Sequence, residues 1–221
     1  IDRDEAALAK AAETLAFASG RTRFVRGNYS ELAGIAAENG WKKVDGILLD
    51  IGVSSPQIDR PERGFSWRAE GPLDMRMDRR SELTASRLLN TAAERELERI
   101  FREYGEVAKS RKLAAAVVRA RQEKPFAVTS DLVALCDGVL GRSRPGQLPA
   151  PTLVFQALRI AVNDELGELE RALPAATELL NREGRLAVIS FHSLEDRIVK
   201  NFFRDEAASC SCPPGLPVCI C

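Results

Sequence analysis

The sequence predicts an α/β fold, a doubly wound sheet interrupted by an all-helical insertion. Three observations predict it. Strand and helix patterns alternate with short connections over the first fifty residues, as they do where parallel strands are joined by right-handed crossovers. The β signal then vanishes from about residue 83 to residue 140. A strand pattern returns at 185–192.

Taken in order, Ile1-Asp2-Arg3-Asp4 reads as the tail of a strand whose body precedes the sequence. Asp4 is expected to cap a helix from Glu5 to about Ala18, with Gly20 just past its end. Arg23–Arg26 reads as a short strand ending at Gly27-Asn28-Tyr29. Ser30 should cap a helix through Asn39 that Gly40 stops. Gly46-Ile47-Leu48-Leu49, closed by Asp50, is an apolar run expected as a buried strand over Val44–Asp50. A loop of about thirty residues follows, rich in Gly, Pro, Ser and Arg. It also carries Phe65, Trp67, Leu73, Met75 and Met77, so it is expected to be an ordered binding loop hung from the strand's carboxyl end.

Helical stretches are expected at 83–91, 93–104, 107–123 and 129–140, parted by Gly105, Pro125 and Gly141. A helix from Thr152 to Leu173 carries Phe155, Leu158, Val162, Leu166, Leu169 and Leu173 on one stripe, the 3–4 spacing of a core face. Thr152, Gln156, Arg159 and Asn163 make a polar stripe, either a solvated face or the lining of a cleft. After a break at Pro174 and a helix to about Asn181, Arg185–His192 is a strand. Ser193 with Asp196 would form a capping box for the last helix. The expected organisation is thus a core in two parts, 1–82 and 151–209, around an insertion at 83–150, with a cysteine-rich tail at 210–221.

Hydrophobic residues make up 45% and charged residues 29% of the 221, ordinary values for a globular protein. No apolar run approaches the roughly 18 residues that cross a bilayer, and no signal peptide precedes the first helix, so a cytoplasmic protein is expected. Net charge is zero, which gives no whole-chain field to attract nucleic acid. Yet 25 of the 32 basic residues are Arg, the side chain suited to bidentate contacts with phosphate or carboxylate. Six of them lie between Arg60 and Arg80, interleaved with acids.

In open α/β sheets ligands bind beyond the carboxyl ends of strands. That rule selects Asp2, Asn28-Tyr29, Asp50 with its loop, and Ser190-Phe191-His192. A carboxylate at Asp2 could accept from a ribose diol and an aromatic at Tyr29 could lie on an adenine. A helix cap and simple packing are the plainer roles for the same residues. His192 is the only histidine, and Gly52-Val53-Ser54-Ser55-Pro56 lacks the G-x-S-x-G elbow, so nucleophilic hydrolysis is disfavoured. Cys136 is expected to be buried. Cys210, Cys212, Cys219 and Cys221 form C-x-C-x6-C-x-C, open to a structural zinc, to free or redox thiols, or to disulfides, with metal favoured over disulfides.

DGILLDIGVSSPQ, ERGFSW, GPLDMRMD, FQALRIAVNDEL and SFHSLEDRIVK resemble, in this order, the ribosomal RNA small subunit methyltransferase H family. The resemblance implies a class I methyltransferase (Rossmann-like) core, without its Gly-rich cofactor loop and carboxyl-terminal strands. It also implies S-adenosylmethionine as cofactor and methylation of the exocyclic N4 amine of a cytidine in the decoding region of bacterial small-subunit rRNA. Cofactor contacts carried over by motif fall on Asp2, Tyr29, Asp50 and Gln57. Asp50, Ser54 and Ser55 are catalytic candidates, because the target amine needs hydrogen-bond acceptors. Phe65, Trp67 and Phe191 are candidates for stacking on the base, and Arg63, Arg68, Arg76 and Arg159 for RNA phosphates. His192 joins the substrate-binding candidates. The 30S subunit, a homodimer and no membrane are the expected associations. A non-catalytic ribosome-binding factor and a nicotinamide-dependent oxidoreductase are the alternatives.

Overall fold

The computed structural model describes residues 1–141, 146 and 148–208. In chain order the helices and strands begin with α1 (Glu5–Thr14), α2 (Leu32–Glu38), β1 (Val44–Asp50), α3 (Ser55–Asp59), α4 (Ala85–Thr91) and α5 (Glu94–Glu103). They continue with α6 (Ser110–Glu123), α7 (Thr129–Leu140), α8 (Ala150–Asn163), α9 (Glu165–Leu179), β2 (Leu180–Ile189) and α10 (Ser193–Glu206). The chain forms two compact units, one of Ile1–Asn28 with Gly52–Glu165, the other of Tyr29–Ile51 with Leu166–Cys221. Cys210, Cys212, Cys219 and Cys221, the expected zinc ligands, lie outside the described residues.

The second unit holds the sheet. β1 and β2 run parallel, with Gly46 opposite Arg185 and Asp50 opposite Ile189. Ile47, Leu49 and Ile51 turn one way with Leu186 and Val188, onto Leu32 of α2, Leu169 and Leu173 of α9 and Val199 of α10. The alternate residues turn away from that cluster, and Leu48 is 64% and Ile189 45% exposed. The apolar run of β1 is therefore covered on one face, not buried on both as expected. The strand expected at Arg23–Arg26 reduces to one parallel bridge between Asp2 and Arg26, in the first unit. β2 begins at Leu180, earlier than expected, because Leu180 pairs with Val44 across a bulge containing Glu183 at φ 71°. It ends at Ile189, which leaves Ser190–His192 beyond its carboxyl end.

At α2 the start differs from expectation and the stop agrees with it. Tyr29–Glu31 is a 3-10 turn and α2 starts after it with no side-chain cap, so Ser30 does not cap it. At the other end Gly40, at φ 72°, sends its N–H to Ala37 O, and the Trp41 N–H reaches Ala36 O. This pair of bonds is a Schellman stop and needs the left-handed residue that glycine supplies.

The first unit is a helical core built on α4 to α8, with Leu89, Leu97, Phe101, Leu113, Leu132 and Leu158 buried together. Cys136 is buried in it as expected, and burial pushes its thiol up to about 12. The loop after β1 is ordered, as its apolar residues implied: Phe65, Leu73, Met75 and Met77 join this same core. Leu73 N–H donates to Ala127 O at 2.9 Å and Thr129 N–H to Gly71 O at 2.8 Å. A Cβ on Gly64 would stand 2.0 Å from Pro72 O, and one on Gly71 1.8 Å from Pro61 O. Those two glycines let separate stretches of the loop touch backbone to backbone.

The helix expected over Thr152–Leu173 is two helices. It breaks at Asp164, in the left-handed region at φ 50°, and α9 then runs straight through Pro174. At the break the Asn163 amide donates both to Arg159 O of α8 at 2.9 Å and to Met75 O at 2.7 Å, and it accepts from the Met77 N–H at 2.8 Å, which ties the end of α8 to the loop. Pro174 is tolerated because it lies on the exposed side of α9, where the carbonyl it fails to meet can be hydrated. The polar stripe of α8 is not a solvated face. Thr152 accepts from Trp67 Nε1 at 3.0 Å, Gln156 donates to Tyr104 O at 3.2 Å, and Arg159 clamps Glu165 with bonds of 2.8 and 2.9 Å.

Candidate functional site

In the second unit the parallel register brings two of the selected strand ends to one edge of the sheet. Asp50 is the last residue of β1 and is exposed. The next N–H, of Ile51, bonds to Ile189 O at 3.3 Å. Two residues beyond Ile189 stands Phe191, 68% exposed. His192 then caps α10, accepting from the Glu195 N–H at Nδ1. Glu195 reciprocates by accepting from the Phe191 N–H at 2.9 Å and the His192 N–H at 3.3 Å. The capping box is thus His192 with Glu195, one residue ahead of the expected Ser193 with Asp196. The buried carboxylate of Glu195 fixes the backbone that presents Phe191. Tyr29 is half-buried against the cluster beneath the sheet.

In the first unit the organising group is Asp4, a buried carboxylate the sequence offered only as a helix cap. Its Oδ1 accepts from the Ala6 N–H at 3.1 Å. Its Oδ2 accepts from Gln57 Nε2 and from Arg63 Nη1, both at 2.8 Å. Burial alone would raise the Asp4 carboxyl, but the bonds from Gln57 and Arg63, with the Arg63 charge, outweigh it and hold the group below the usual carboxylate range. Arg63, 5% exposed, passes the restraint on by donating to Arg76 O at 3.0 Å. Asp2 is exposed; its Oδ1 accepts from the Asp4 N–H at 2.7 Å. Asp2 and Gln57 are therefore joined through Asp4. Gln57 is 6% exposed, and its other end accepts from the Ser54 N–H at 3.1 Å. Ser54 caps α3 and, with Ser55, is exposed.

The remaining candidates lie in the first unit. Phe65 is buried beneath the Arg63 guanidinium, 5.6 Å from the ring centre. Trp67 is half-buried, with the Arg68 guanidinium 5.7 Å above its ring. Arg76 grips Asp74 through two bonds of 2.7 and 2.9 Å and also donates to Arg79 O and Ser81 O. Asp78 is held at about 2, chiefly by hydrogen bonds from Arg80, with Arg26 adding its charge. Sequence reasoning missed Asp4 as the partner of Arg63, and Asn163 as the anchor of the loop. The signals for them were a capping position at Asp4 and a place on the polar stripe of α8 at Asn163.

The profile of the MraW methylase family matches residues 1–221. The chain is 53% identical over 224 residues to the ribosomal RNA small subunit methyltransferase H of Heliobacterium modesticaldum, covering 100% of this chain and 71% of that protein. It is 50% identical over 223 residues to the protein of the same name from Symbiobacterium thermophilum, covering 100% of this chain and 70% of that one. For the Geobacter sp. (strain M21) protein, also so named, identity is 49% over 222 residues. With the family's pattern running through every residue and about half of the positions identical to these relatives, the chain belongs to the MraW methylase family.

Proposed function

We propose that this chain is an S-adenosylmethionine-dependent methyltransferase acting on the exocyclic N4 amine of a cytidine in the decoding region of bacterial small-subunit rRNA. The observation that carries the reading is the match along the entire chain to relatives named as small-subunit rRNA methyltransferases. The donor set fits the cofactor in one respect that can be checked on the chain itself. Asp2 is exposed and has one carboxylate oxygen engaged by Asp4 N–H, which leaves the other to accept from a ribose hydroxyl. When bound, the cofactor supplies an activated methyl group, so the protein's task is to present the amine.

That amine is a weak nucleophile because its lone pair is shared with the ring. Asp50 is the acceptor at the sheet edge that would draw an amine proton and turn the lone pair outward, with Ser54 and Ser55 as further candidates. Phe191, at the same edge as Asp50, is the most exposed of the aromatic candidates and would stack on the unstacked base. Gln57, enclosed between Asp4 and Ser54, acts in this reading by fixing Asp4 rather than by facing a ligand. Positioning of this kind is worth at most ~7–11 kcal/mol for well-aligned reactants.

The helical block at 83–150 is assigned to substrate recognition, and the 30S subunit to the substrate. A zinc on the tail thiols, a homodimer and residence in the cytoplasm extend the proposal; metal analysis and elution volume test the first two. Among the described residues no helix is long and apolar enough to cross a membrane. The central test is transfer of tritium from methyl-labelled S-adenosylmethionine to small-subunit rRNA. Asp50→Ala should lose about 100-fold or more in kcat while its circular dichroism melt stays within a few degrees. Turnover near that of the parent protein removes Asp50 from the chemistry.

A further inference from the structure

Of the four Arg that the sequence offered to RNA phosphates, Arg68 lies exposed over the Trp67 ring and the other three are already engaged. Arg63, Arg76 and Arg159 are bound to Asp4, Asp74 and Glu165. Arg60 and Arg79, both exposed, have no hydrogen-bond or ion-pair partner for their side chains among the described residues. Both line a cavity of about 400 Å³ in the first unit, together with Arg26, Arg63, Asp4, Glu5 and Glu62.

The charge balance of this cavity favours a single negative ligand. Asp4 neutralises Arg63 at 2.8 Å, and Glu5 meets Arg26 at 3.0 Å. That leaves the guanidiniums of Arg60 and Arg79 against the carboxylate of Glu62, an excess of one positive charge. Arg26 is also short of an acceptor, since its Nε is buried with no partner among the described residues. A phosphodiester carries one negative charge, and its paired oxygens match the fork of a guanidinium. The lining has no aromatic side chain, and Met77 and Ala6 are its apolar members. Such a wall suits a sugar–phosphate backbone better than a base.

We infer that this cavity is a phosphate-binding pocket in which Arg60 and Arg79 hold one phosphodiester of the RNA substrate. The RNA part of the inference rests on the proposed function; the pocket does not. Inorganic phosphate titrated into the full chain should shift the Nε–Hε signals of Arg60 and Arg79 saturably in nitrogen-15 spectra. An absence of shifts overturns the pocket, whatever RNA does. With a single-stranded fragment of small-subunit rRNA, the double variant R60A/R79A should bind roughly tenfold more weakly at low salt. The plot of log affinity against log salt concentration should be shallower by about 0.7 for one lost contact. Arg79→Lys should keep most of that slope, because it keeps the charge. Unchanged affinity and slope in R60A/R79A, with the phosphate shifts present in the parent protein, overturn the assignment to RNA and leave a site for free phosphate. Parent protein that binds phosphate here but neither binds nor methylates the rRNA sinks the methyltransferase reading instead.

Discussion

In Asp4→Ala the Arg63 guanidinium would stay buried with no counter-charge, which costs about 3–5 kcal/mol. Urea unfolding of the variant should show a loss of that size, and Asp4→Asn, which keeps a hydrogen-bond acceptor, a smaller one. The pH dependence has a definite sign. The folded-state pKa of Asp4 is depressed, so its contribution is complete above the unfolded carboxyl value, near ~4. It drains away as pH falls through the lowered folded value. Asp78, held at about 2, adds to the same acid limb between about pH 4 and pH 2. Stability measured from pH 6 down to pH 2 should therefore fall less steeply in Asp4→Asn than in the parent. An identical acid limb would remove the Asp4–Arg63 pair from the cause. At this scale the sequence was partly readable. Asp50 ends β1 as strand-end logic puts it, while Asp2 makes a single bridge to Arg26 and ends no described strand. The Asp4–Arg63 pair was hidden, because its partners are 59 positions apart and each has a plausible local role.

Among the elements, the seam between α8 and the loop after β1 is the one whose loss should be felt most widely. Asn163→Ala strands the Met75 carbonyl and the Met77 N–H in a buried setting, at a cost of about 1–3 kcal/mol for each unsatisfied group. Leu73→Ala should cost about 2–5 kcal/mol by opening a hole in the same core. Both should raise amide hydrogen exchange across residues 63–77 more than in α5 or α6; uniform acceleration would mean the seam is no separate unit. β1 was legible to the residue, and α4 to α7 within about three. Gly and Pro punctuate them, and the 3–4 spacing of Leu and Ile marks their buried faces. The break at Asp164 was not legible, because the contacts that accompany it at Asn163 are made to backbone groups 86 and 88 positions away. Pro174 misled for the converse reason. Its missing N–H matters less on the wet side of a helix.

At the scale of the whole molecule the chain passes between the two compact units three times, after Asn28, Ile51 and Glu165. Neither unit is a continuous stretch of sequence. Fold class was readable from alternation, but this interleaving was not, since no composition change marks any of the three passages. One practical consequence concerns cleavage. The exposed Lys42-Lys43 turn lies between the two first-named passages, so trypsin acting there severs the polypeptide without releasing either half. The short fragment would remain threaded through both bodies, by Asp4 and Arg3 in one and by Leu32 in the other. A nicked preparation should run as two bands in denaturing gels and as one particle on a sizing column, and should come apart only when denatured.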